Sequence, residues 1–375
     1  MAILIDFGHM SSRMHHVAIS EVSPSIGDNG KYDVDEYFSY FCHLVLQNIK
    51  SMKQQFEREY GEIVICIDAK HYWRKDIYPE YKGQRKAIKE ESKIDFSSFY
   101  SRVDEFLEDM ESPFPFKFLN IEKAEADDTI GVMSKELNDK KIPTIVVTSD
   151  KDMKQVLQYD YVKLYDDKDK KWEKLPKKDI PNFKIYHVLK GDASDNIFNI
   201  KQRTEFSNDF MLHLEKHMDF FYEHFDESCV MSDVKVIQSN SFVYSTIVDD
   251  FDIYKVYKTG KNKGKNKLEK NVFATIPFGD IEIYKFMEDL EVNLSKHKMY
   301  KDAYNLNEEL VLFDHIPNYI HVNTKESYYN QEVSYDQQKM VNFFNKYKLK
   351  KMLGDMPMFL KIHGQEVKTS VSFDW

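Results

Sequence analysis

Three apolar, β-branched runs that each end in an aspartate are the feature that most constrains the fold. They cover residues 3–6, 63–68 and 145–150 and end in Asp6, Asp68 and Asp150. Uninterrupted apolar runs of this length are typical of parallel strands that are buried on both faces. Apolar residues at helical spacing predict an amphipathic helix over residues 35–60, between the first two runs. Alternating strand and helix therefore predict an α/β fold with a central, mostly parallel sheet flanked by helices.

The character of the sequence changes near residue 190, where strand–helix alternation gives way to long aromatic segments. We therefore predict one domain over residues 1–190 and a mainly helical domain over 191–355, followed by a C-terminal tail over 356–375. Helices are predicted near residues 206–225 and 281–304. A lysine- and glycine-rich stretch at 255–270 lacks apolar periodicity and is predicted to be a basic loop.

Composition narrows the class of protein before any motif is considered. The 375 residues are 42% hydrophobic and carry 63 Asp and Glu against 53 Lys and Arg, which is typical of a globular protein. The three cysteines are far apart and match neither a disulfide framework nor a CxxC metal spacing. No apolar run reaches the roughly 18 residues of a membrane span. We therefore expect a cytoplasmic protein that is monomeric and has no membrane partner.

Acidic residues recur where a parallel sheet would bring them together. The three strand-end aspartates would all lie at the carboxyl edge of the sheet, where such folds bind ligands. Six further carboxylates come from EADD, TSDKD and GDASDN: Glu125, Asp127, Asp128, Asp152, Asp192 and Asp195. Each alone could be a turn former or a helix cap, and EADD could be the acidic first turn of a helix. Their ordered combination favours one shared site.

Nine carboxylates cannot ionise together in one site unless their charge is compensated, because like charges disfavour joint ionisation. Divalent cations are the natural compensation. Oxygen ligands without a histidine or cysteine cluster suit Mg²⁺ or Mn²⁺ rather than zinc. A large number of acidic groups around Mg²⁺ indicates phosphoryl chemistry with two ions.

A segment that follows the second strand interleaves basic and aromatic residues. It contains Arg74, Lys75, Tyr81, Lys82, Arg85 and Lys86. This composition is typical of surfaces that pair with phosphates while bases stack on rings, although a solvated loop of mixed charge is the alternative. Since the carboxylates repel DNA, a cationic element is needed to bring a phosphodiester to them. The net charge of −10 therefore does not exclude a nucleic acid partner.

The motifs LIDFG, ICIDAK, YPEYKGQR, EADD, TSDKD and GDASDN follow one another between residues 3 and 196. In this order they resemble the structure-specific 5′-nuclease family, which includes flap endonucleases, the 5′-nuclease domain of bacterial DNA polymerase I, and phage exonucleases and ribonucleases H. The match is closest to the branch of the T-even phage ribonuclease H. The resemblance implies a PIN-like or 5′-nuclease-like sheet with a helical arch near residues 70–100, through which single strands pass.

The resemblance also implies site residues and an activity. The nine carboxylates would hold two Mg²⁺ ions, for which Mn²⁺ would substitute, with Asp68 and Asp150 catalytic. Lys82 and Arg85 would engage the scissile phosphate, and the remaining residues of the basic segment would contact DNA. The implied activity is that of a 5′-3′ exonuclease and flap endonuclease with ribonuclease H activity, which removes RNA primers and flaps in phage DNA replication. A catalytically silent binder of flapped or forked DNA and a PIN-like single-strand ribonuclease are the alternatives.

Two later features of the sequence carry further expectations. Cellular members of the family continue after GDxSDN with glycines that grip duplex DNA, and this chain does not. Lys261, Lys263 and Lys265 could supply phosphate contacts instead, or could simply solubilise their loop. Phe373 and Trp375 loosely resemble the terminal peptides that bind a sliding clamp, although they could also pack on the body of the protein. The expected partners are DNA with 5′ ends or flaps, RNA–DNA hybrids, the sliding clamp and single-stranded DNA-binding protein.

Overall fold

The computed structural model describes residues 1–27, 29–200, 254–256, 266–268, 280–296 and 298–360. The chain divides into two compact units. The first unit comprises Met1–Ile180 together with Ile316–Trp375, and the second comprises Pro181–His315.

A six-stranded sheet forms the centre of the first unit. Its strands are β1 (Ala2–Asp6), β2 (Glu62–Ile67), β3 (Phe116–Asn120), β4 (Thr144–Val147), β5 (Val162–Asp166) and β6 (Lys171–Glu173). They lie in the order β3-β2-β1-β4-β5-β6, all neighbours pairing in parallel except β5 and β6. The three predicted apolar runs are the adjacent central strands β2, β1 and β4, so the predicted fold class is confirmed.

Helices flank this sheet. They are α1 (Phe7–Val22), α2 (Val34–Tyr60), α3 (Trp73–Ile77), α4 (Gln84–Glu91), α5 (Phe96–Glu111) and α6 (Ala126–Asp139), with 3-10 helices at Asp152–Gln158 and Lys177–Asp179. The predicted helix over residues 35–60 is α2. Asp33 caps its N-terminus by accepting a hydrogen bond from the Asp35 backbone, and Gly61 ends it with φ of 78°. A Cβ on Gly61 would lie 2.8 Å from the Met1 carbonyl oxygen, so only glycine fits there.

The second unit is mainly helical in the part that the structure describes. It contains α7 (Ile180–Lys190), a 3-10 helix at Ala193–Asp195, α8 (Asp280–Glu288), α9 (Leu290–Lys296), α10 (Lys298–Val311) and a 3-10 helix at Phe313–His315. The helix predicted over 281–304 is therefore three shorter helices. The two ends of the predicted basic loop pair as antiparallel strands, β7 (Tyr254–Val256) and β8 (Asn266–Leu268). The helix predicted at 206–225 lies outside the described residues.

The chain after residue 315 returns to the first unit, which corrects the predicted domain over 191–355. Three helices follow, α11 (Asn318–Asn330), α12 (Gln337–Lys346) and α13 (Met356–Leu360), with a 3-10 helix at Lys350–Asp355. The Gln331 side chain bonds to both the N–H and the C=O of Phe118 on the edge strand β3, at 2.8 and 2.9 Å. Phe343 packs on Phe106 and Phe114 in the main core. The C-terminal segment therefore belongs to the first unit because its buried aromatic residues pack in that unit's core.

Within the described residues, none of the helices is long and apolar enough to cross a membrane.

Candidate active site

The order of the strands places a ligand site at the end of β1. The chain passes from β1 to β2 and β3 on one side and then crosses to β4 on the other side. Ligands of open α/β sheets bind at such a switch point, beyond the carboxyl ends of the strands. Asp6 ends β1, and its carboxylate accepts hydrogen bonds of 2.9 Å from the Thr148 hydroxyl after β4 and from the His9 backbone. Asp6 is therefore held in place from both strands and from the first turn of α1.

Asp68 follows β2 and lies beside the same point. Its Oδ1 accepts a 2.8 Å hydrogen bond from the Ala126 backbone, which opens α6. A Cβ on Gly8 would lie 2.9 Å from Asp68 Oδ2, which is closer than real Cβ contacts allow. The glycine of LIDFG thus leaves room for the carboxylate of ICIDAK.

A cleft of about 790 Å³ opens over these strand ends. Five of the predicted carboxylates line it: Asp6, Asp68, Glu125, Asp127 and Asp150. Asp152, the first residue of its 3-10 helix, donates its backbone N–H to Asp150 at 2.9 Å and is half-buried beside the cleft. Within the described residues, no three His, Cys, Asp or Glu side chains are grouped closely enough to form a ready-made metal site.

The electrostatics of the cleft show an excess of negative charge. Burial raises the pKa of Asp68 to about 6, against the opposing effect of Lys82. Burial, together with the charges of Asp150 and Asp6, raises the pKa of Asp127 well above its usual value. Burial also raises the pKa of Asp6. These carboxylates resist joint ionisation in the absence of a cation, and their oxygen donors are those that Mg²⁺ or Mn²⁺ prefers.

Protein cations compensate the charge of Glu125 strongly. It is 3% exposed, forms an ion pair with Lys82, and accepts hydrogen bonds from Arg74 at 2.8 Å and from the Tyr81 hydroxyl at 3.0 Å. Burial alone would raise the pKa of Glu125, but Lys82 and Arg74 outweigh it and lower that pKa. Lys82 adopts a left-handed backbone conformation, with φ of 56°.

The prediction that Asp128 is a metal ligand is wrong for this structure. Asp128 is fully buried, and its carboxylate forms an ion pair with Arg74. Oδ2 accepts from Trp73 Nε1 and Arg74 Nη1 at 3.0 Å each and from the Glu125 backbone at 2.9 Å, while Oδ1 lies 2.8 Å from Arg74 Nη2. The contact with the Glu125 backbone closes a capping box at the start of α6, so Asp128 is a structural residue.

The predictions that Arg74 and Tyr81 bind DNA directly are also wrong. Each is 3% exposed and bonds to Glu125, so neither presents a surface to a nucleic acid. They position the acidic residues instead. Lys75 and Lys86 are exposed, and their DNA contacts stay a prediction.

The cationic rim of the cleft extends further than predicted. Lys82 and Arg85 line it as expected, and Lys89 from α4 joins them, together with Phe96 and Tyr100 from α5. These helices lie in the segment predicted to form an arch. The predicted basic segment ends at residue 86, but lysines continue to Lys93 and aromatic residues follow from Phe96 to Tyr100. The passage of single strands through this segment stays a prediction.

The remaining predicted residues belong to the second unit or lie outside the described residues. Asp192 and Asp195 belong to the second unit, where Asp192 caps the 3-10 helix at Ala193–Asp195 by accepting from Ser194. Their role as ligands stays a prediction. The predicted DNA-binding lysines of the loop and the two aromatic residues of the tail lie outside the described residues: Lys261, Lys263, Lys265, Phe373 and Trp375.

The fold and the cleft together define the class of protein. An acidic cleft at the switch point of a parallel sheet, with a cationic rim, belongs to an α/β nuclease, an enzyme that hydrolyses phosphodiester bonds. Residues 1–182 match the model of the 5′-3′ exonuclease, N-terminal resolvase-like domain. This part of the chain is therefore similar to the 5′-3′ exonuclease family, and the predicted resemblance to 5′-nucleases is confirmed.

The chain is also similar to individual proteins. The chain is 28% identical over 282 residues to the ribonuclease H of Enterobacteria phage T4, covering 69% of this chain and 88% of that protein. It is 27% identical over 153 residues to DNA polymerase I of Chloroflexus aurantiacus, covering 36% of this chain and 15% of that protein. A crystal structure of the T5 D15 protein co-crystallised with metal ions aligns with a TM-score of 0.45 and 15% identity, covering 93% of this chain and 98% of that one.

Proposed function

We propose that this protein is a metal-dependent 5′-3′ exonuclease and flap endonuclease with ribonuclease H activity, which removes RNA primers and flaps in phage DNA replication, in the cytoplasm of the host. The observation that carries the proposal is one cleft in which strand-end carboxylates lie beside Lys82 and Arg85. The similarity to a relative named ribonuclease H supports the choice of substrates.

The residues fit a site for divalent cations. Asp6, Asp68, Asp127 and Asp150 supply oxygen donors whose mutual repulsion a cation would relieve, and Gly8 keeps space at Asp68. Two Mg²⁺ ions, or Mn²⁺ in their place, are the cofactors that we propose. Glu125 and Asp152 would complete the set within the first unit. A ligand role for Asp192 and Asp195 is proposed from the sequence motif GDASDN alone. When bound, such ions supply water activation and neutralise charge on the leaving oxygen.

The cations of this chain would act on the phosphate itself. Lys82 and Arg85 line the cleft with the carboxylates, so they can neutralise charge that develops on the scissile phosphate. In this structure Lys82 pairs with Glu125, and a phosphate would compete with Glu125 for it. Hydrogen bonds from Arg74 and Tyr81 hold the Glu125 carboxylate in place.

The proposed partners rest on sequence motifs alone. The loop lysines would neutralise backbone phosphates of DNA, and the terminal aromatic residues would bind a sliding clamp. Single-stranded DNA-binding protein is a further proposed partner, and the protein is proposed to act as a monomer.

The test is a gel assay on 5′-labelled substrates: a flapped duplex, a nicked duplex, an RNA–DNA hybrid and single-stranded RNA. We expect short 5′ products from the first three with Mg²⁺ or Mn²⁺, and none in EDTA. Binding of the flap without cleavage would support the catalytically silent alternative. Cleavage confined to single-stranded RNA would support the PIN-like alternative.

A further inference from the structure

One wall of the cleft is aromatic, and its rings divide into a buried part and an exposed part. His15 and Phe99 are each 2% exposed and stack with centroids 3.6 Å apart, so they belong to the core. Tyr100, the next residue of α5, is 44% exposed and lines the cleft. Tyr100 therefore presents an exposed ring to a cleft that also holds carboxylates and cations.

Tyr100 is held firmly despite its exposure. It stacks on Phe96, one helical turn earlier, with centroids 5.9 Å apart and an interplanar angle of 23°. Phe96 packs edge-on against His15 and so ties the pair to the core. Asp95 caps α5 by accepting from the Ser98 backbone at 3.1 Å, which fixes the turn that carries Phe96. The two rings therefore form one stacked platform that packs against the core.

A cation lies directly over this platform. Lys89 Nζ is 4.7 Å from the Tyr100 ring centroid and 5.4 Å from that of Phe96. Within the described part of the chain, Lys89 forms no ion pair with a carboxylate. Burial, together with the like charges of Arg85 and Lys75, lowers the pKa of Lys89. A phosphate beside Lys89 would relieve this repulsion while a flat group covers the ring.

We infer that Tyr100, backed by Phe96, is the stacking platform for one nucleobase next to the scissile phosphate, and that Lys89 holds the neighbouring phosphate. The inference rests on the proposed function, since it assumes a nucleic acid in this cleft, and it adds a subsite that the carboxylates do not require. Stacking on an aromatic face tolerates any base, because every base has a π-face. The subsite would therefore require that a base be present at one position and would not read its identity.

The experiment measures binding separately from cleavage. Fluorescence anisotropy in EDTA and at fixed salt would give Kd for a labelled flap and for a series in which single positions are abasic. For the wild type we expect about 10-fold weaker binding when one position is abasic and little change at the others. Tyr100→Leu should bind the intact flap about 10-fold more weakly than the wild type does. Its Kd should not rise further when the sensitive position is abasic. Tyr100→Phe should bind like the wild type.

Tyr329→Leu is the matched control. Tyr329 is 46% exposed and has Lys140 Nζ 4.0 Å from its ring centroid, but it lies on α11 and does not line the cleft. This variant should keep both the affinity and the position-specific penalty. A Tyr100→Trp protein gives a second readout, because its added emission should be quenched by the intact flap and not by the flap that is abasic at the sensitive position.

The outcomes separate this inference from the proposed function. If Tyr100→Leu keeps the full penalty at the sensitive position, or if no single abasic position weakens binding to the wild type, Tyr100 is not the platform. Equal quenching of Tyr100→Trp by intact and abasic flaps would overturn it as well. Absence of metal-dependent cleavage would overturn the proposed function and leave the binding result intact.

Discussion

Gly8 and Asp68 approach each other so closely that a methyl group on Gly8 would lie 2.9 Å from Asp68 Oδ2. Gly8 lies in the first turn of α1 and Asp68 just beyond β2, so the contact joins the two predicted motifs LIDFG and ICIDAK. The Gly8 backbone does not have a positive φ, so an alanine there meets no backbone strain. Glycine is therefore needed at position 8 because of the space that the Asp68 carboxylate occupies, and not because of the backbone conformation.

Gly8→Ala should separate stability from activity. The Asp68 carboxylate would have to move by a few tenths of an ångström or more, and we expect kcat to fall about 10- to 100-fold, since small displacements of catalytic groups are costly. Stability should stay the same or rise by up to about 1 kcal/mol, because alanine is the better helix former. Urea unfolding and cleavage of a 5′ flap measure the two effects. Gly354→Ala, where a Cβ meets nothing within 4 Å, is the control.

Arg74→Ala should destabilise the protein by about 3–5 kcal/mol. Arg74 is 3% exposed and pairs with both Glu125 and Asp128, so its removal takes a buried counter-ion away from two buried carboxylates. The neighbouring variant Lys75→Ala, at an exposed position, should change stability by less than about 0.5 kcal/mol. Equal effects of the two variants in urea unfolding would contradict the burial of the Arg74 network.

The stability of the protein should fall in acid in a way that depends on His15. Burial lowers the pKa of His15 from 6.5 to about 4, and the ring is 2% exposed, with its Nε2 2.9 Å from the Tyr37 hydroxyl. The unfolded chain therefore binds this proton at higher pH than the folded chain. The stabilisation is complete above pH 6.5 and is lost as the pH falls through about 4.

This difference corresponds to about 3 kcal/mol between neutral pH and pH 4. His15→Phe should remove that part of the acid dependence, although the loss of the Tyr37 hydrogen bond would cost about 1 kcal/mol at neutral pH. Val17→Ala, at an exposed position of α1 that carries no titratable group, should keep the wild-type pH dependence. Parallel pH profiles of wild type and His15→Phe in urea unfolding would contradict the assignment.

Lys82→Ala should lower the chemical step far more than binding. A cation beside the reacting phosphate counts most in the transition state, so we expect kcat to fall about 100- to 1,000-fold while Kd for a flap changes less than about threefold. Lys135→Ala, which breaks a surface pair with Asp139 on α6, is the control and should match the wild type. If kcat fell and Kd rose by equal factors, this role of Lys82 in the chemical step would be contradicted.

Local patterns in the sequence predicted the centre of the fold and most of the cleft. The strands β1, β2 and β4 are continuous apolar runs. A parallel sheet brings the carboxyl ends of such strands together at one edge. The return of the C-terminal helices could not be predicted in this way. It depends on contacts between distant segments, such as Gln331 with Phe118, that leave no periodic signal.

The EADD motif shows a second limit. Asp127 and Asp128 are identical in type and adjacent in sequence, but successive helical residues point about 100° apart. Asp127 therefore faces the cleft, while Asp128 is buried against Trp73 and Arg74. Arg74 and Tyr81 illustrate the same limit. The residue type alone does not show whether a basic or aromatic side chain contacts DNA or a buried carboxylate.

The most direct test of the account is cleavage of a 5′-labelled flap by Asp68→Asn in Mg²⁺. The account predicts that wild-type cleavage is abolished by EDTA, and that Asp68→Asn cleaves at least 1,000-fold more slowly, on the order expected when a metal site is disabled. Asp139→Asn, at an exposed site on α6, should cleave at the wild-type rate. Wild-type cleavage in excess EDTA, or an unimpaired Asp68→Asn protein, would contradict the claim that the strand-end carboxylates bind catalytic metal ions.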